Sequence, residues 1–153
     1  MRRKTTKKFI NCILIPVIVC CLSQLLLAAD EIHEASAKGD LEKVIEILKK
    51  DPNALNQLDQ NGRTPLHHAS IIGNNQLAEY LIKQGADLDS QDENKNTPLH
   101  NAAVRGNLEL VKMLLEKGSK SINQGATWNN TPLHLACERG HSEVVLFLLD
   151  NGA

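Results

Sequence analysis

The sequence predicts an all-α solenoid of about four helix-turn-helix units with finger turns between them, preceded by an N-terminal hydrophobic signal segment. Three observations carry this. The tetrapeptide Thr-Pro-Leu-His occurs at 64–67, 97–100 and 131–134, so that Thr64, Thr97 and Thr131 stand 33 and 34 residues apart. Gly39, Gly73, Gly106 and Gly140 independently keep the intervals 34, 33 and 34. After each of these glycines, leucine and valine recur at helical spacing. A fixed period in this range marks an array of small supersecondary units, each burying its apolar face on its neighbours.

The leader comes first. Residues 1–29, "MRRKTTKKFINCILIPVIVCCLSQLLLAA", contain five of the seventeen Lys and Arg (Arg2, Arg3, Lys4, Lys7, Lys8), then an apolar run from Ile13 to Leu22 and a second ending in Ala28 and Ala29. A basic start, an apolar centre and small residues at the end make a secretory signal peptide. The apolar stretch is also long enough to cross a bilayer as a helix, so an uncleaved signal anchor is the alternative. In both cases the basic end stays in the cytoplasm and the rest is exported, either periplasmic or secreted, or else held on a membrane anchor outside the cytoplasm. A leader of this type on a small repeat protein fits a bacterial source. Residues 30–153 carry twelve Lys and Arg against eighteen Asp and Glu, a net charge of −6 with His neutral. That balance argues against nucleic acid, which is gripped through its phosphates by clustered basic groups.

Four units follow, at about 30–60, 61–93, 94–127 and 128–153. In the second, Thr64 suits a helix N-cap and Pro65 the first helical position, where no N–H is needed. That helix ends near Gly73, since glycine takes the left-handed conformation that closes a helix. A second helix runs through "NQLAEYLIKQ" with Leu77, Leu81 and Ile82 on one face and stops at Gly85. The third unit repeats the scheme with Leu108, Val111, Leu114 and Leu115, and the fourth with Val144, Val145, Leu148 and Leu149. The first lacks Thr-Pro but keeps Ala35, Gly39 and a Leu41, Val44, Leu48 face, as a polar N-terminal cap would.

With "TPLHHASIIG", "TPLHNAAVRG" and "TPLHLACERGH" in register, and Ala69, Ala102 and Ala136 in the alanine position, residues 30–153 resemble the ankyrin repeats. The resemblance implies a protein-protein interaction module whose exposed inner-helix positions and finger tips line a concave face. Carried over by register, the inner-helix pairs are Ile71 and Ile72, Val104 and Arg105, then Glu138 and Arg139. The finger positions are Asn61 and Arg63, Asn94 and Asn96, Trp128 and Asn130. The partner-binding set is therefore Arg63, Ile71, Ile72, Asn96, Val104, Arg105, Trp128, Asn130 and Arg139. Trp128 is the chain's single Trp and lies in a turn, either as an interface anchor or folded over its own linker. Two departures stand out. The third linker is one residue longer than the second, with Gly125 and Ala126 near the place of Asp92. The fourth unit stops after its second helix, which leaves Phe147, Leu148 and their neighbours without a following repeat and raises self-association through that unit.

No catalytic, cofactor or metal site is expected. There is no GxSxG, HExxH or Walker loop, so an enzyme is the remote reading. His67, His100 and His134 recur once per unit, but adjacent helices pack about 8–10 Å apart, too far for equivalent rings to meet at one ion. The resemblance implies instead that these histidines bond backbone near the turn. Cleavage would leave Cys137 as the body's one cysteine, expected as a small buried hydrophobe. The Asn-Asn-Thr at 129–131 matches a glycosylation sequon but belongs to the Thr-Pro turn.

Overall fold

The computed structural model describes residues 31–153, so the expected signal segment lies outside the described residues. Helix α1 occupies 31–38 and α2 Leu41–Lys50; the pairs α3 (Pro65–Ile72) and α4 (Asn75–Lys83), α5 (Pro98–Arg105) and α6 (Leu108–Glu116), and α7 (Pro132–Glu138) and α8 (Ser142–Asp150) follow. The linkers contain short 3-10 turns at Pro52–Asn56, Ser121–Asn123 and Thr127–Asn129. Among the described residues there is no strand, and no helix is long and apolar enough to cross a membrane.

Each hairpin is written locally. Thr64, Thr97 and Thr131 cap α3, α5 and α7, each followed by Pro at the first position. Gly73 closes α3 at φ +75°, and its N–H returns to the Ala69 carbonyl. Asn74 and Asn107 cap the partner helices α4 and α6 through their side chains.

The helices form two layers. The inner helices α3, α5 and α7 pack in sequence, as do the outer helices α4, α6 and α8. Between the layers lie Leu66, Leu77, Leu81, Leu99, Leu110, Leu114 and Leu148, all fully buried. Burying each such side chain contributes about 1.5–3 kcal/mol. Ala69, Ala102 and Ala136 are also fully buried, small where inner helices approach closely. In the third unit Leu110 takes the fully buried place, while Leu108 is only partly buried.

The uncovered face of the fourth unit differs from expectation in two respects. Cys137 is exposed, whereas Ser70 and Ala103, which hold its place in the earlier units, are fully buried under a following inner helix; among the described residues no inner helix packs over α7 from that side. Leu148 is fully buried and Phe147 is partly buried, with the Lys112 ammonium 5.5 Å from its ring centre; the exposed large apolar groups of this unit's second helix are Leu146 and Leu149.

Candidate protein-binding face

Three finger tips run in parallel. In the first, the Asp59 carboxylate accepts the backbone N–H groups of Asn61 (2.8 Å) and Arg63 (2.9 Å). In the second, Asp92 does the same for Asn94 and Asn96, both at 2.9 Å. These short side chains mimic a backbone turn and hold the tip rigid. Burial pushes the Asp59 acid up, but the donated N–H groups and the His68 ring outweigh it and hold the carboxyl below its usual range.

The third tip has Ala126 in the aspartate's place and lacks that carboxylate. The Ala126 N–H still closes the loop on the Asn130 carbonyl (2.8 Å), but Trp128 (φ +62°) and Asn129 (φ +59°) both sit in the left-handed region. The Asn129 carboxamide folds over Gly125, where an added Cβ would force it to move. Left-handed backbone is unfavourable for a bulky residue, and the Trp128 ring is 91% exposed. It therefore does not lie over its own linker.

Backbone bonds join the fingers sideways. The Glu93 N–H donates to the Asn61 carbonyl (3.0 Å), and the Thr127 N–H (2.9 Å) and hydroxyl (2.7 Å) donate to the Asn94 carbonyl. The signature histidines tie fingers to helices. His67 Nδ1 accepts from the Thr64 N–H (3.1 Å), so its Nε2–H donates to the Asn96 carbonyl (3.0 Å). His100 repeats this with Thr97 and reaches the Gln124 (2.9 Å) and Asn130 (3.2 Å) carbonyls. Burial disfavours the charged ring and holds both histidines below the usual imidazole range.

The residues picked from register fall into three groups. Trp128, Arg105 and Arg139 are exposed. Ile71, Ile72 and Val104 are half-buried; Ile72 leans on the Gly39 turn and Arg105 crosses Gly73, so each side chain reaches back over the preceding unit. Arg63, Asn96 and Asn130 are half-buried within the fingers. The Arg63 guanidinium lies 3.7 Å from the buried Asp92 carboxylate, and the Asn96 and Asn130 carbonyls are taken by the histidines.

Sequence reasoning missed two features. His33 is the fourth signature histidine, with Nε2 donating to the Gln57 carbonyl at 2.8 Å, and it stands one period before His67. His141 stands at the N-cap position of α8 without a side-chain capping bond, and its ring bonds the Val104 carbonyl (2.9 Å) across Gly106, as the Asn74 amide bonds the Gly39 carbonyl (3.2 Å). The glycine immediately before each of these side chains is the signal. Among the described residues, no group of three or more His, Cys, Asp or Glu is arranged to hold a metal ion.

Stacked helical hairpins joined by finger turns define a repeat scaffold. The chain belongs to the ankyrin-repeat family: the family model for ankyrin repeats in three copies matches residues 32–125 and 84–153. Over 56 residues, 37% of this chain and 22% of the relative, it is 39% identical to the human DNA-binding protein RFXANK. It is 43% identical over 56 residues to mouse protein phosphatase 1 regulatory subunit 27, covering 37% of this chain and 36% of that protein. A putative ankyrin repeat protein of fowlpox virus is 40% identical over 57 residues, 37% of this chain and 14% of its own length. The match thus spans well under two thirds of each relative.

Proposed function

We propose that the chain is a non-catalytic binding protein that holds another protein on its finger tips and inner helices, exported from a bacterial cell with its leader removed. One observation carries the binding surface: a lone tryptophan at a finger tip, 91% exposed and in left-handed backbone. That conformation costs about 1–2 kcal/mol for an ordinary residue, and a wet indole adds to the cost. A partner that covers the ring offsets both. The remaining fingers are clamped by Asp59 and Asp92, so little conformational freedom is lost on binding. The mouse relative is named as a regulatory subunit, which supports a binding role. The DNA binding in the human relative's name is not carried across, because residues 30–153 carry twelve Lys and Arg against eighteen Asp and Glu, an acidic balance unsuited to phosphate contacts.

Trp128→Asn removes the ring yet keeps a residue type that tolerates left-handed backbone, and it is the residue type that stands at the same position of the other two tips, Asn61 and Asn94. Trp128→Asn and Ile72→Asp should each weaken a partner captured from the native host at least about tenfold, or 1.4 kcal/mol, with unchanged circular dichroism. Equal affinities for both variants and the parent would overturn the surface. Export is tested by sequencing the N-terminus of the protein made in its host, where a start near Asp30 supports cleavage and an intact Met1 supports the membrane-tethered alternative.

A second reading, a self-associating scaffold, is favoured by Leu146 and Leu149, which are 62% and 50% exposed on α8. Glu79 and Lys112 occupy Leu146's place in the earlier units. Sedimentation equilibrium should then show oligomers that Leu146→Glu dissociates, and a monomeric parent protein sinks it.

A further inference from the structure

The seam between the cap unit and the second unit holds a group of ionisable side chains that no other seam among the described units repeats. His68, on the inner face of α3, donates Nε2–H to Asp59 Oδ2 at 2.9 Å. Asp59 is the carboxylate whose other oxygen holds the first finger through the Asn61 and Arg63 amides. Against the His68 ring, from α1, lies His33, with ring centres 5.8 Å apart and planes inclined by 57°. The Arg63 charge on the finger opposes a charge on this ring through space, while its guanidinium lies 3.7 Å from Asp92 of the second finger. His67, on the neighbouring position, turns the other way to the Asn96 carbonyl. In the third unit the equivalent of His68 is Asn101, and among the described residues Asp92 acts on His67 and His100 only through space, with no histidine hydrogen-bonded to it.

We propose that His68 is a positioning residue that makes the cap seam, and with it the first finger, sensitive to acid. The neutral ring fits the seam: its side chain is 14% exposed, and it supplies Asp59 with a third donor. A protonated ring would place a cation in a largely buried site against His33, with the Asp59 carboxylate bonded to it. Burial, then His33 and Arg63, oppose the charge, while the Asp59 bond favours it; the balance holds His68 below the usual imidazole range. The fold therefore favours the neutral form. Stability from this ring is complete above about pH 6.5 and is lost as pH falls through the folded value. Acid charges the ring, which keeps its Nε2–H for Asp59 but becomes a cation beside His33 in a largely buried place, and so loosens the seam toward water. The consequence for binding rests on the function proposed above. A partner gripping Asn61 and Arg63 holds the seam shut, and by linkage the seam's protonation weakens that partner.

The test needs no partner, so it stands or falls separately from the binding reading. Amide hydrogen exchange is followed by nuclear magnetic resonance on the full chain between about pH 7.5 and about pH 5, corrected for the intrinsic pH dependence of exchange. Protection at Asn61, Arg63 and the α1 amides should fall severalfold more than at Asn94 and Asn96. His68→Asn, which installs the third unit's residue, should abolish that excess loss. Equal losses at the two fingers in the parent protein overturn the proposal without recourse to a variant. An excess loss that persists in His68→Asn overturns it as well.

Discussion

His100 and His134 stand at the same place in the same tetrapeptide, and each accepts its own threonine's N–H, at 3.2 and 3.3 Å. There the likeness ends. His100 is fully buried and bonds two carbonyls of the next linker, whereas the His134 pair with Thr131 is exposed. The same split runs through the rest of the motif: Ala103 is buried and Cys137 exposed, Val111 is fully buried and Val145 only partly. Local sequence makes the hairpin, but the neighbouring unit turns the hairpin's edge into core.

The largest expected effect breaks the comparison directly. His100→Ala leaves the Gln124 and Asn130 carbonyls without their buried donor and should cost about 3 kcal/mol, while His134→Ala should cost about 0.5 kcal/mol or less. Urea denaturation of the two variants checks this, and similar midpoints would mean that the open unit is as tightly held as the covered one. Next comes acid. Burial lowers His67, His68 and His100 in the fold, so their contribution is present above about pH 6.5 and lost as pH falls through the folded values. The urea midpoint should therefore drop between neutral pH and about pH 5. The smallest effect on stability sharpens the comparison. Cys137 should react with a thiol reagent in the native protein, and Cys137→Ser should shift stability by about 0.5 kcal/mol or less. A cysteine placed at Ala103, with Cys137 replaced, should stay protected until the chain unfolds.

The hairpin boundaries were legible because their chemistry is local. Thr64 and Pro65 start α3 and Gly73 ends it at φ +75°, through a cap hydroxyl, a missing N–H and a residue without Cβ. The face residues were legible only as register. Register places Arg63 at a finger tip, but the buried Asp92 that draws its guanidinium inward lies 29 residues away in the chain. It gives Cys137 an apolar stripe without saying whether a neighbour covers that stripe. The strain at Trp128 could be suspected from the missing aspartate at Ala126, yet its direction into water depends on how the whole finger closes.

By itself the sequence determined the repeat period, the hairpins, their caps and the alternation of leucine faces, because each depends on groups within a few residues or on a periodicity that any stacked array must satisfy. Tertiary structure alone decided which of four similar units has a covered edge, and that His68, unremarkable beside His67, meets Asp59 and His33. Burial and electrostatic proximity are properties of what arrives from elsewhere in the chain, and a repeated motif is by construction silent about its neighbours.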